Sequence, residues 1–178
     1  MTPDPTTALL DAISFAARAH RHQTRKDGAT PYAAHPFRVC LVVRHVFGID
    51  DPRVLTAAVL HDTVEDTPTD YDDLAERFGP EVAGWVAALT KDMRLPEPDR
   101  EAAYHAVLAS APWPVVVCKL ADIFDNLTDS GHLPPEKRAR TVQRSAEYLA
   151  VLSRNPSSKA ATAFECVEAK LAEARRGD

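Results

Sequence analysis

A chain of 178 residues, 45% hydrophobic and 26% charged, is long enough to bury a substantial core without disulfide or metal staples. Its formal net charge of −5 argues against a general nucleic-acid binder, which carries a basic footprint, but leaves room for a small anionic ligand on a local basic patch. No apolar run approaches a bilayer span, and "MTPDPTTALL" lacks the basic flank and apolar stretch of a signal peptide. The expectation is therefore a single cytoplasmic domain over residues 1–178 with no membrane partner.

Proline punctuates the chain, because it starts helices well and interrupts their interiors. Pro52, Pro68, Pro80, Pro112, Pro114, Pro134, Pro135 and Pro156 cut most of it into pieces of about one helix each. In the first piece Leu10, Ile13, Ala17 and His20 share a helical face. "DMRLPEPDR" (92–100) reads as a mobile loop. "VVVCKL" alone resembles a strand, but its continuation "ADIFDNL" keeps a helical period, so the whole segment is predicted to be helix. Phe164, Val167, Leu171 and Ala174 form the stripe of the last helix, which runs from "SSK" to "ARRGD". Nothing alternates with period two for long. Cys40, Cys118 and Cys166 are odd in number, form no CxxC pair and sit among apolar neighbours, as buried thiols in a reducing compartment do. The reading is an all-α domain of about eight to ten helices.

The chemistry concentrates in "LHDTVEDT" (60–67), where an apolar segment ends in His61, Asp62, Glu65 and Asp66. On a helix and its end, His61 and Asp62 point about 100° apart, so an ion against the flank is reachable by both. Imidazole with carboxylate suits Mn²⁺, Fe²⁺ or Zn²⁺. Two further candidates follow from local sequence. His35 precedes Pro36, which restricts its backbone at a helix start or kink. Asp122 lies in an apolar helix where Lys119, Asp122, Asn126 and Asp129 form a polar stripe with Asp125 at its edge, and an acid facing a core needs a partner or an ion. Taken singly, His35 reads as a core histidine and the Asp122 stripe as a solvated face. Jointly, "HP", "HD" and "LAD..DN" fit a His, His, Asp, Asp metal site. "RAHRHQTRK" (18–26) adds four basic residues in nine. Arg18 and Arg21 read as a solvated helix face, whereas Arg25 and Lys26 lead into the loop before His35 and suit phosphate binding. Lys91 and Tyr148 are weaker candidates.

These segments resemble the HD-domain hydrolases of the RelA/SpoT group, in particular its small stand-alone branch. The carriers are "AARAHRHQTRKDGATPYAAHPFRV" (16–39), "AAVLHDTVEDTPTDYDDLAERFGPEV" (57–82) and "CKLADIFDN" (118–126). The resemblance implies a single HD-domain helical bundle. It makes His35, His61, Asp62 and Asp122 ligands of one Mn²⁺, and Glu65 and Asp66 the acidic pair that positions and deprotonates water. It places Arg25, Lys26 and Asn126 on a nucleotide substrate. The implied activity is hydrolysis of the 3′-pyrophosphate of a guanosine or adenosine alarmone. A phosphatase of another nucleotide such as NADPH, or a non-catalytic nucleotide or metal sensor, are the alternatives; the presence of both Glu65 and Asp66 favours an enzyme. The chain departs from the family pattern at Ile123, where a basic residue is common, at Asp125, where His or Tyr is common, and in "KDGATPY", one residue longer than usual. The first two are expected to remove positive charge and add negative charge near the substrate.

Overall fold

The computed structural model describes residues 4–176. Among them are ten α-helices and no strand: α1 (Pro5–Ala19), α2 (Ala34–Leu41), α3 (Pro52–Leu60), α4 (Thr63–Asp66), α5 (Tyr71–Phe78), α6 (Pro80–Leu89), α7 (Glu97–Ala109), α8 (Trp113–Thr128), α9 (Pro135–Leu152) and α10 (Ala161–Arg176). No helix among these residues is long and apolar enough to cross a membrane.

Helix starts follow the cap chemistry of the sequence. Asp4 and Asp51 accept from backbone amides at the first turns of α1 and α3, each with proline next in line, which satisfies donors that have no intrahelical partner. Asp70 and Asp73 form a reciprocal capping box on α5. Gly79, at φ +89°, turns the chain directly from α5 into α6, a backbone that residues with a Cβ rarely adopt. A π-helical turn (Val42–Val46) extends α2.

Two helices are apolar around nearly their whole circumference and therefore sit at the centre. Residues 54–60 of α3 are all buried, as are residues 114–123 of α8. Around them, α1 packs on α3, α2 and α6 pack on both α3 and α8, α10 runs along α8, and α9 closes over α8 and α10. The segment "VVVCKLADIFDNL" is helical as its period predicts, and Val167 and Leu171 face the core from α10. Cys40 and Cys118 are buried and Cys166 is partly buried, all as free thiols.

Two expectations are corrected. The buried face of α1 is Ala12, Ala16 and His20, with Leu10 61% exposed. α1 packs on α3, and the small buried alanines leave the larger Leu10 on the outward side. The 92–100 loop is shorter than predicted, because α7 begins at Glu97 with Pro98 in its first turn and Glu97 and Asp99 at its positive end.

Helix α5 separates two kinds of attachment. It fully buries only Leu74, and Arg77 forks onto Asp11 of α1 with two 2.6 Å hydrogen bonds. The hydrogen bonds from Arg77 lower the Asp11 pKa, so the pair stabilises the fold above the ordinary aspartate pKa and ceases to do so as pH falls through the lowered value. Both partners are more than a third exposed, which limits the pair to about 1 kcal/mol or less. Leu74→Ala is expected to cost about 2–5 kcal/mol in urea unfolding, and Asp11→Asn well under half of that.

Candidate metal centre and active site

Helix α3 stops inside the "HD" motif. His61 keeps helical angles, but Asp62 (φ −100°, ψ −4°) leaves the helix and becomes the N-cap of the one-turn α4. The break turns the Asp62 carboxylate toward the His61 ring, and Thr63 Oγ1 secures it by donating to the Leu60 carbonyl at 2.7 Å. His61 Nδ1 lies 2.8 Å from the Ala58 carbonyl, an acceptor only. That contact places a proton on Nδ1 and turns Nε2 inward, where it can hold a second proton or give its lone pair to an ion. Nε2 is buried and makes no hydrogen bond, although Asp62 Oδ2 is 3.1 Å away.

His35, in the first turn of α2, lies across one turn of α8. Its Nε2 is 3.2 Å from Asp122 Oδ1 and 3.5 Å from Asp62 Oδ2. Its Nδ1 lies 2.7 Å from Asp125 Oδ2. Asp122 Oδ1 also lies 4.0 Å from His61 Nε2. One ligand-type atom from each of His35, His61 and Asp62 falls within 4.8 Å of the others, and Asp122 faces the same point from α8.

Nitrogen lone pairs and carboxylate oxygens crowded together in a buried space repel one another unless a proton or cation lies between them. Burial pushes the His35 pKa down, but hydrogen bonds to Asp122 and Asp125 and the charge of Asp62 raise it to about 9. Burial raises the Asp62 pKa; the His61 and His35 charges outweigh it and hold the carboxyl well below the usual range. The orphaned Nε2 of His61 and the N₂O₂ donor set fit a divalent transition ion.

Other charges hold this group in place. Asp122 Oδ2 accepts from Lys119 Nζ at 2.8 Å, and Oδ1 accepts from Asn126 Nδ2. Lys119 is itself buried, with its ammonium 4.5 Å from the Tyr148 ring centroid and 5.3 Å from that of Tyr104. Tyr32 donates to Asp62 Oδ2 at 2.6 Å and lies 3.1 Å from Asp66 Oδ2. Glu65 Oε2 accepts from the Lys91 amide at 2.8 Å. Burial, and then the charge of Asp62, raise the pKa of both Glu65 and Asp66.

All nine residues singled out in the sequence line one cleft of about 880 Å³: Arg25, Lys26, His35, His61, Asp62, Glu65, Asp66, Asp122 and Asn126. Their surroundings differ from expectation in two places. Arg25 is largely buried and its guanidinium is paired with Asp129 at 2.8 Å, with Asn126 Oδ1 at 3.4 Å. Lys26 is the more exposed member of the basic pair, and the walls of the cleft around it, then the charge of Arg25, lower its pKa. Asp125 does not add charge to the cleft. It is 2% exposed, lies behind His35, and meets Arg38 Nε at 2.6 Å. Ile123 lines the cleft as an apolar contact.

The opposite wall holds the weaker candidates Lys91 and Tyr148 and three cations that the sequence did not single out. Lys137, Arg140 and Arg144 from α9 line the cleft with Tyr148 and Lys91. The signal was present: "KRARTVQR" places basic residues at helical spacing three and four apart. Tyr148 donates to Glu101 at 2.6 Å, and Lys91 Nζ pairs with the same carboxylate at 2.9 Å.

Comparison with known proteins gives the chain a family. The HD domain family pattern matches residues 12–156. A guanosine-3′,5′-bis(diphosphate) 3′-pyrophosphohydrolase of Homo sapiens is 46% identical over 134 residues, covering 72% of this chain and 72% of its own length. A protein of the same description from Danio rerio is 39% identical over 150 residues, covering 84% of this chain and 82% of its own. The solved structure of a metazoan ortholog of SpoT that hydrolyzes ppGpp matches with TM-score 0.82 and 30% identity, covering 99% of this chain and 97% of that one. This chain belongs to the HD-domain hydrolase family, in its small stand-alone branch.

Proposed function

We propose that this protein hydrolyses the 3′-pyrophosphate of guanosine 3′,5′-bis(diphosphate) or an adenosine counterpart, releasing pyrophosphate. The observation that carries the reading is the convergence of His35, His61, Asp62 and Asp122 at the floor of a cleft with a cationic rim. These four residues would hold one divalent ion, which we take to be Mn²⁺. When bound, it supplies Lewis acidity toward the phosphoryl oxygens and lowers the pKa of water. Residues 1–178 would act as one cytoplasmic hydrolase domain on a small nucleotide, in keeping with three free cysteines.

The remaining steps belong to the chain's own residues. Glu65 takes the proton of the attacking water. Its Oε2 is anchored on the Lys91 amide, and its raised pKa makes it a better base than an ordinary carboxylate. Asp66, steadied by Tyr32, carries a proton to the leaving oxygen. The two acids share that proton traffic as a pair. Lys26, Lys137, Arg140 and Arg144 offset the charge of the polyphosphate, and Asn126, tied to Asp122 and Arg25, fixes the sugar end.

Metal-stripped protein is expected to be inactive and to regain pyrophosphate release from a guanosine or adenosine 3′-pyrophosphate on adding Mn²⁺. Orthophosphate released from NADPH in the same panel would assign the site to a phosphatase. Silence across the panel from protein shown to hold Mn²⁺ would make it a sensor.

Glu65→Gln is expected to retain Mn²⁺ while turnover falls by about 10²–10⁴, and His61→Ala to lose both. Because burial and Asp62 raise the Glu65 pKa, kcat/KM is expected to fall on the acid side with a midpoint above the value of about 4.3 for free glutamate. A pH profile of the parent and of Glu65→Gln checks this: the acid limb should be absent from the variant.

A further inference from the structure

The structure gives Asp125 a place that adjacency to Asn126 did not suggest. The His35 imidazole spans one turn of α8, with Nε2 at Asp122 Oδ1 (3.2 Å) and Nδ1 at Asp125 Oδ2 (2.7 Å). Residues three apart on a helix lie on nearly the same face, so α8 grips both ring nitrogens of one histidine. A carboxylate accepts and cannot donate. The 2.7 Å contact with a carboxyl oxygen, whose partner oxygen faces Arg38, favours a proton on Nδ1 and leaves Nε2 to the candidate metal position.

The carboxylate is gripped in turn. Its other oxygen, Oδ1, lies 2.6 Å from Arg38 Nε, and the second nitrogen of Arg38 reaches Asp129 at 3.1 Å. Arg25 Nη2 lies 3.8 Å from Asp125 and 2.8 Å from Asp129. Two arginines and two aspartates thus form a closed charge cluster behind His35. Asp125 is 2% exposed and does not line the cleft, so substrate recognition does not account for it.

We propose that Asp125 is a positioning residue for the metal: it fixes the tautomer and ring plane of His35, and Arg38 holds its carboxylate in the orientation that does so. Outer partners of this kind orient histidine ligands and raise their basicity. The inference rests on the metal reading of the site.

The test is isothermal titration of metal-stripped protein with Mn²⁺ alone, paired with thermal unfolding of the metal-free form. Asp125→Ala is expected to weaken Mn²⁺ binding about 10- to 100-fold. Asp125→Asn, whose amide oxygen still accepts from Nδ1, should lose less. Arg38→Ala should weaken binding by roughly tenfold or less in the parent and add nothing further once Asp125 is removed, since both act through one bond. Parental affinity in Asp125→Ala, with only the melting temperature lowered, would reduce Asp125 to a structural ion pair and overturn the proposal. If Asp125→Ala does not fold, Arg38→Ala decides, because Arg38 lies at the protein surface with its side chain 40% exposed; unchanged affinity there refutes the chain of positioning. A parent that takes up no Mn²⁺ would instead refute the metal reading itself.

Discussion

Burying ionised groups inside a helical core costs several kcal/mol per ion unless each finds a partner, and this protein places Lys119, Asp122 and Asp125 on one almost wholly buried helix. Each of them is paired. Lys119 and Asp122 hold each other within α8, Tyr104 and Tyr148 cover the ammonium, and Asp125 is held between His35 and Arg38. The order of the helices serves this compensation. α2 must pack against both α3 and α8 for His35 to reach Asp62 and Asp122 together.

Rigidity and chemistry are divided between different parts of the chain. α3 and α8 are buried on nearly all sides and fix the candidate ligands. At the break, Asp62 leaves the helix and its carboxylate lies 3.1 Å from the His61 ring nitrogen. The cationic rim of the cleft comes from outside that centre: Lys26 from the loop after α1, and Lys137, Arg140 and Arg144 from α9. A wall built from exposed helix residues can change its charges without disturbing the core, whereas the floor cannot.

Much of the site was legible before folding. "HP" and "HD" joined residue types that bind one class of ion, and the apolar segments around them required burial, so convergence was the economical reading. Arg25 was legible as a cation but not as a paired one, because Asp129 lies 104 positions away. Asp125 was read by its neighbour in sequence, when its rotation about the α8 axis directs it to His35. Leu10 was read by hydrophobicity, when the face of α1 that packing buries carries Ala12 and Ala16.

The sequence by itself determined the helical class, most of the helices, the donor types and the family. Those follow from local rules: proline and aspartate at first turns, apolar period, and the ligand preferences of imidazole and carboxylate. Tertiary structure alone decided which charges neutralise one another, that α9 supplies the second wall of the cleft, and that Asp125 meets a histidine ninety positions earlier. Those outcomes depend on distances between segments remote in sequence, and such distances exist only once the core has packed.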